Sequence, residues 1–107
     1  MNAPVPARGQ VYLVDLGYGR KPWVVVSNNH RNRALSSVLA ARLTTTRRQR
    51  EVPTIIALSD GDAPLVGFVV CDDIEQLDRE WYLTRPAGAL TPATMRKISE
   101  AMRIVIP

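Results

Sequence analysis

The chain has 107 residues, 46% of them hydrophobic and 22% charged, with a formal net charge of +4. A length near 100–150 residues suits one compact core, the apolar fraction excludes disorder as the main state, and no run approaches the ~20 apolar residues of a membrane span. Met1–Arg8 lacks the basic start and apolar run of a secretory signal, and a single cysteine, Cys71, can form no internal disulfide, so a reduced, soluble, cytoplasmic protein is expected.

Residues 1–7 hold two prolines and no charge and read as a loose end. Gln10–Leu16 places Val11, Leu13 and Asp15 on one side and Tyr12, Val14 and Leu16 on the other, a strand buried on both faces. Gly17–Pro22 is a turn, and the β-branched, apolar run Trp23–Ser27 is a central strand. Asn28–Ala34 is polar and loop-like, Ser37–Leu43 resumes as a strand, and Thr44–Glu51 is a polar, basic segment. Pro53–Leu58 is a strand that begins at a proline, which favours a sheet edge or a strand start. Ser59–Pro64 turns around Asp60-Gly61, Leu65–Cys71 is a strand, and Asp72–Leu77 reads as a short helical turn or bend. At the end, Thr91 caps a helix with Pro92 in its first position, and Met95, Ile98, Met102 and Val105 form one core-facing stripe. These elements predict a single domain over 1–107, mainly β, built as a small barrel or curled antiparallel sheet with a C-terminal helix.

The charges divide along the chain. Residues 1–50 carry nine Lys/Arg against Asp15 alone, while residues 51–107 carry five basic and nine acidic side chains. Twelve of the cations are Arg, whose planar fork matches phosphate. One basic face is expected, of the kind that meets nucleic acid. Standard catalytic sets are missing. His30 is the only histidine, Cys71 lies in an apolar run as a buried structural thiol, and Asp72, Asp73 and Glu75 read as a solvated acidic bend. No metal site and no cofactor is expected, and Gly17-x-Gly19 alone does not make a phosphate loop. What remains is Gly19-Arg20-Lys21 and Thr44-Thr45-Thr46-Arg47-Arg48, each placing cations beside a flexible backbone. Hydroxyls and guanidiniums together bind phosphate oxygens and stabilise added negative charge. Trp23, heading an apolar strand, is assigned to the core; Trp81 and Tyr82 read as exposed.

Several short motifs occur in a fixed order: Arg8-Gly9-Gln10-Val11-Tyr12, Lys21-Pro22-Trp23-Val24-Val25-Val26-Ser27-Asn28, Leu43-Thr44-Thr45, Pro53-Thr54, Cys71-Asp72-Asp73-Ile74 with Leu77-Asp78, and Leu90-Thr91. With that order and spacing, the chain resembles the MazF/PemK/Kid family of bacterial toxin endoribonucleases. The resemblance implies an SH3-like β-barrel with helices, a homodimer, and metal-independent cleavage of single-stranded RNA. It places the family's catalytic arginine position at Lys21, with Arg20 just before it, its threonine at Thr44, and a carboxylate used by some members at Asp72. The basic residue those members carry two positions before that carboxylate is Val70 here.

On that reading the RNA 2′-hydroxyl is the nucleophile, Thr44 holds a non-bridging oxygen, and Arg20 and Lys21 neutralise it, one of them protonating the leaving oxygen. The products are a 2′,3′-cyclic phosphate and a 5′-hydroxyl. Tyr18, Asn28, Asn29, His30, Arg31, Thr45, Arg47 and Arg48 are the expected RNA-binding residues. The expected protein partner is an antitoxin whose acidic C-terminal segment, disordered when free, covers the basic face; translation and growth are then the targets of the free toxin. The alternatives are a non-catalytic small-barrel nucleic-acid-binding module and a protein-interaction module.

Overall fold

The computed structural model describes residues 5–46 and 52–106. A hairpin opens the sheet, β1 (Gln10–Asp15) with β2 (Arg20–Val25). Its turn is held by Asp15, whose carboxylate accepts the backbone N–H groups of Gly17 and Gly19 at 2.8 and 3.2 Å, both glycines lying at positive φ. Pairing of Asp15 with Arg20 and Val14 with Lys21 draws Arg20–Pro22 into the ladder, so β2 starts before the apolar run that marks it in the sequence.

The polar stretch expected as a loop is instead a helix, α1 (Asn29–Ala34). The Asn28 side chain accepts the Arg31 N–H at 2.8 Å, and the fully buried Asn32 donates to the Ser27 carbonyl at 3.0 Å while the Ser27 hydroxyl donates back to it. A helix docked by amide hydrogen bonds shows no apolar stripe, and the hydrophobic period therefore missed it.

The chain continues as β3 (Ser37–Thr44), β4 (Ile55–Ala57), a 3-10 turn over Asp60–Asp62, β5 (Phe68–Asp78), α2 (Arg79–Tyr82), β6 (Gly88–Ala89) and α3 (Pro92–Val105). The strands form one six-stranded sheet in the order β4-β5-β3-β2-β1-β6, every pairing antiparallel. This is the expected curled antiparallel sheet with a C-terminal helix, and β4 takes the edge that its proline-led start suggested. No helix among the described residues is long and apolar enough to cross a membrane.

The helical turn or bend expected over Asp72–Leu77 is strand. What interrupts the pattern is a bulge: Ala41 pairs with Ile74 but the next residue, Arg42, pairs with Val70, leaving Cys71, Asp72 and Asp73 extra on β5. An odd number of extra residues inverts the inside–outside alternation. Val69 and Cys71 therefore join Val11, Val24, Ala41 and Leu43 on the face covered by α3, whereas Leu77 joins Tyr12, Val14, Trp23, Val25, Val38 and Ala40 on the other. Helix α3 contributes Met95, Ile98 and Ala101 to the first cluster, with Met102 and Val105 partly buried against it. Cys71 is fully buried, and burial, with the neighbouring Asp72 charge, pushes its thiol up to about 11, the inert structural state expected of it.

Thr91 caps α3, and behind the cap lies the buried Asp62. Its carboxylate accepts the Ser59 N–H (2.8 Å), the Ser59 hydroxyl (3.0 Å), the Thr91 N–H (2.8 Å) and the Thr94 hydroxyl (2.6 Å). Burial raises the carboxyl's pKa, but these four donors outweigh it and hold the group at about 2, below its ordinary 3.8. A depressed folded-state value stabilises the fold above the unfolded pKa, and the gain is lost as pH falls toward about 2. The expected contribution at neutral pH is about 2 kcal/mol. Urea titrations at pH 7 and pH 3 should show Asp62→Asn less stable than the parent at pH 7, with the gap narrowing at pH 3; equal stability at pH 7 would contradict the anchoring role.

Candidate active site

Lys21 and Arg42 stand on the divide between two clefts that open on the sheet face opposite α3. Strand geometry puts them there. Lys21 pairs with Val14 and Arg42 with Trp23, and Val14 and Trp23 both belong to the cluster on that face. Thr44 lies two residues beyond Arg42 on β3 and so shares its side. The first cleft, about 330 Å³, gathers Arg20, Lys21, Arg42 and the hydroxyl run Thr44–Thr46, with no acidic residue in its lining among the described residues. The second, about 490 Å³, is walled by Val14, Leu16, Tyr18 and Trp23 and carries Asp73 and Glu75 beside the same Lys21 and Arg42.

Two hydrogen bonds set the polar groups. The Arg42 Nε donates to Asp73 Oδ2 at 2.5 Å, with both side chains more than a third exposed. An ion pair this wet contributes little to stability, about 0–1 kcal/mol, so its consequence is orientation of the guanidinium. The Thr44 hydroxyl oxygen accepts the Thr46 N–H at 3.1 Å, which leaves its own proton free to donate. Behind Thr44 sits Gly67 at φ +109°, so close that a Cβ there would lie 2.3 Å from the Thr44 carbonyl oxygen.

The structure thus brings together Arg20, Lys21, Thr44 and Thr45, with Tyr18, 85% exposed, at the rim of the second cleft. Asp72 lines neither cleft; it accepts the Thr54 hydroxyl at 2.7 Å in the bulge, and Asp73 is the bulge carboxylate that faces the cations. Asn28, Asn29, His30 and Arg31 belong to α1 or its cap, at the far end of β2, about 16 Å of strand away from Arg20. There Asn28 caps the helix, Asn29 accepts the Arg8 N–H at 2.7 Å, and Arg31 donates to the Ser37 carbonyl at 3.0 Å. Arg47 and Arg48 lie outside the described residues. Arg42, Asp73 and Glu75 are additions to the site. Arg42 was legible in principle, since a strand period of two from Thr44 reaches it; Asp73 and Glu75 were not, because their side depends on the bulge.

Residues 7–106 match the family described as the PemK-like, MazF-like toxin of type II toxin-antitoxin system. The chain is 54% identical over 102 residues to endoribonuclease MazF1 of Mycobacterium bovis, spanning 95% of this chain and 91% of that protein, and equally to endoribonuclease MazF4 of Mycobacterium tuberculosis. Its structure superposes with a TM-score of 0.85 and 50% identity on a mycobacterial endoribonuclease solved in complex with its cognate antitoxin, covering 95% of this chain and 97% of that one. At 16% identity, a MazF from Deinococcus radiodurans shares the fold, with a TM-score of 0.80 over 96% of this chain and 97% of that one.

The Gly67 contact makes a direct expectation. Gly67→Ala should destabilise the protein by about 1–3 kcal/mol through the left-handed φ and the clash, and should move the amide resonances of Thr44–Thr46. Resonances that stay in place would mean that Gly67 does not hold the hydroxyl run.

Proposed function

The chain belongs to the PemK-like, MazF-like family of type II toxins, and we propose that it is an endoribonuclease that cuts single-stranded RNA by attack of the RNA's own 2′-hydroxyl. The observation that carries this reading is the junction of Lys21, Arg42 and Thr44 in a cleft that no carboxylate lines among the described residues. Such a cleft is built for a phosphodiester. The name endoribonuclease borne by relatives at 54% identity supports the same activity.

The mechanism follows from RNA chemistry. The 2′-hydroxyl gives up its proton to surrounding water as its oxygen attacks phosphorus, the bond from phosphorus to the 5′-oxygen breaks as that oxygen takes a proton, and the products are a 2′,3′-cyclic phosphate and a 5′-hydroxyl. Because the nucleophile is internal, no water needs activating and no metal is required. The protein must align the nucleotide, stabilise the phosphorane and deliver a proton to the leaving oxygen. Thr44 donates its free hydroxyl proton to a non-bridging oxygen. Arg42, oriented by Asp73, and Arg20 neutralise the developing charge, and Lys21 supplies the leaving-group proton, which an ammonium gives up more readily than a guanidinium. Asp72, tied to Thr54, takes no step in this scheme. Tyr18 and Thr45 contact the strand on either side of the divide.

Residues 1–107 act as one toxin domain that works as a homodimer in the cytoplasm, inhibiting translation and growth when free. An antitoxin with an acidic C-terminal segment, disordered until bound, covers the Arg20, Lys21 and Arg42 face; the mycobacterial relative at 50% identity solved with its cognate antitoxin supports this partner. Ordering such a segment costs entropy, so it needs apolar anchors as well as charge.

Cleavage of a mixed RNA pool should persist in EDTA and leave cyclic phosphate ends; activity lost in EDTA and restored by magnesium would overturn the mechanism. Thr44→Ala and Lys21→Ala should each slow cleavage by about 10²–10³ with the fold intact. Full activity in Lys21→Ala with loss in Arg20→Ala would move the proton to Arg20. Labelled RNA and the antitoxin segment should displace one another, less tightly at high salt; simultaneous binding would rule out a shared groove.

A further inference from the structure

We propose that the cleft of about 490 Å³ beside the Lys21–Arg42 divide is a nucleobase subsite in which Glu75 selects bases presenting N–H donors, guanine most strongly. The proposal rests on the ribonuclease reading and names what that site recognises.

The starting point is an electrostatic mismatch. A groove meant for phosphate is weakened by a carboxylate that pairs with no cation, yet Glu75 lines this cleft beside the Arg42-paired Asp73, while among the described residues no carboxylate lines the adjoining one. The two compartments suit different parts of one nucleotide. Phosphate fits the cationic, hydroxyl-lined side, and a flat ring that offers N–H groups fits the side with aromatic walls and acceptors. Lys21 and Arg42 line both, so a base and its own phosphate can sit in the two clefts at once.

The two carboxylates are not equivalent. Asp73 is committed to the Arg42 Nε. Glu75 is exposed, and its carboxylate makes no hydrogen bond or ion pair among the described residues. It pairs across the sheet with Ala40, which places it on the Trp23 face. An ionised carboxylate only accepts hydrogen bonds. Guanine offers it two adjacent donors on its Watson–Crick edge, cytosine and adenine offer one amino group, and uracil sets its single N–H between two carbonyl oxygens that the carboxylate repels. The exposed Tyr18 at the rim supplies a stacking face and the edge of the buried Trp23 an apolar floor, neither of which discriminates between bases.

The test is an NMR titration of the protein with the four nucleoside 3′-monophosphates, together with cleavage of a random RNA pool mapped by sequencing. The 3′-GMP should bind about tenfold or more tightly than 3′-UMP, the worth of a hydrogen bond to a charged group, and should shift the Trp23 indole resonance. Glu75→Gln, whose amide both donates and accepts, should bring that ratio close to one while still binding phosphate, and should relax one position of the cleavage profile. Equal affinities for the four nucleotides overturn the proposal, as does a ratio that Glu75→Gln leaves unchanged. Discrimination by the wild type without any cleavage supports the subsite and overturns the ribonuclease reading; cleavage without base discrimination does the reverse.

Discussion

The three extra residues on β5 are the constraint on which both the core and the site depend. A strand with strict alternation would send positions 69, 71, 73, 75 and 77 to one face. The bulge at Cys71–Asp73 divides that series. Val69 and Cys71 stay under α3, and Glu75 and Leu77 cross to the face of Trp23. One irregularity thus completes two hydrophobic clusters and delivers acidic side chains to the edge of a cationic cleft. The bulge itself is fixed on its other side, where the Cys71 N–H donates to the Thr54 carbonyl at 2.9 Å and the Thr54 hydroxyl donates to Asp72. Asp72 is thereby a structural partner of the bulge, and Asp73 is the carboxylate that meets the cations.

Electrostatics then divides the site by sign. Cations gathered without counter-charge repel one another and attract any polyanion. Placing Asp73 against Arg42 tempers that repulsion and fixes one guanidinium, while Arg20 and Lys21 stay exposed at the start of β2. The hydroxyl run after Thr44 adds donors without charge. A surface assembled this way offers cations and hydroxyls on one side of the Lys21–Arg42 divide and acceptors on the other, which suits a ligand that is part phosphate and part base.

Stability and chemistry draw on different parts of the molecule. The buried Asp62 ties the turn at Ser59 to the start of α3 on the helix-covered side, away from the clefts. Gly67 is where the two meet, since the backbone that returns into β5 passes against the Thr44 carbonyl and leaves no room for a side chain. The Thr44 hydroxyl run that lines the cationic cleft is held from behind by close packing of main chain, a rigid support for a positioned donor.

The sequence by itself determined most of the strands, the terminal helix with its Thr91 cap and Met95–Ile98 stripe, and the buried state of Trp23 and Cys71, and it singled out Arg20-Lys21 and Thr44, which line one cleft. Those features are local: period, capping and motif order are written in neighbouring residues. Helix α1 escaped because its docking rests on the Asn32 and Ser27 side chains and not on an apolar stripe. Tertiary structure alone decided which members of the groups 28–31 and 72–75 reach the clefts. Asn28–Arg31 were sent to the opposite end of β2, and Arg42, Asp73 and Glu75 were brought in. The reason is physical: a side chain's face on a bulged strand depends on how many residues its partner strand skips, and that count is set only when the strands pair.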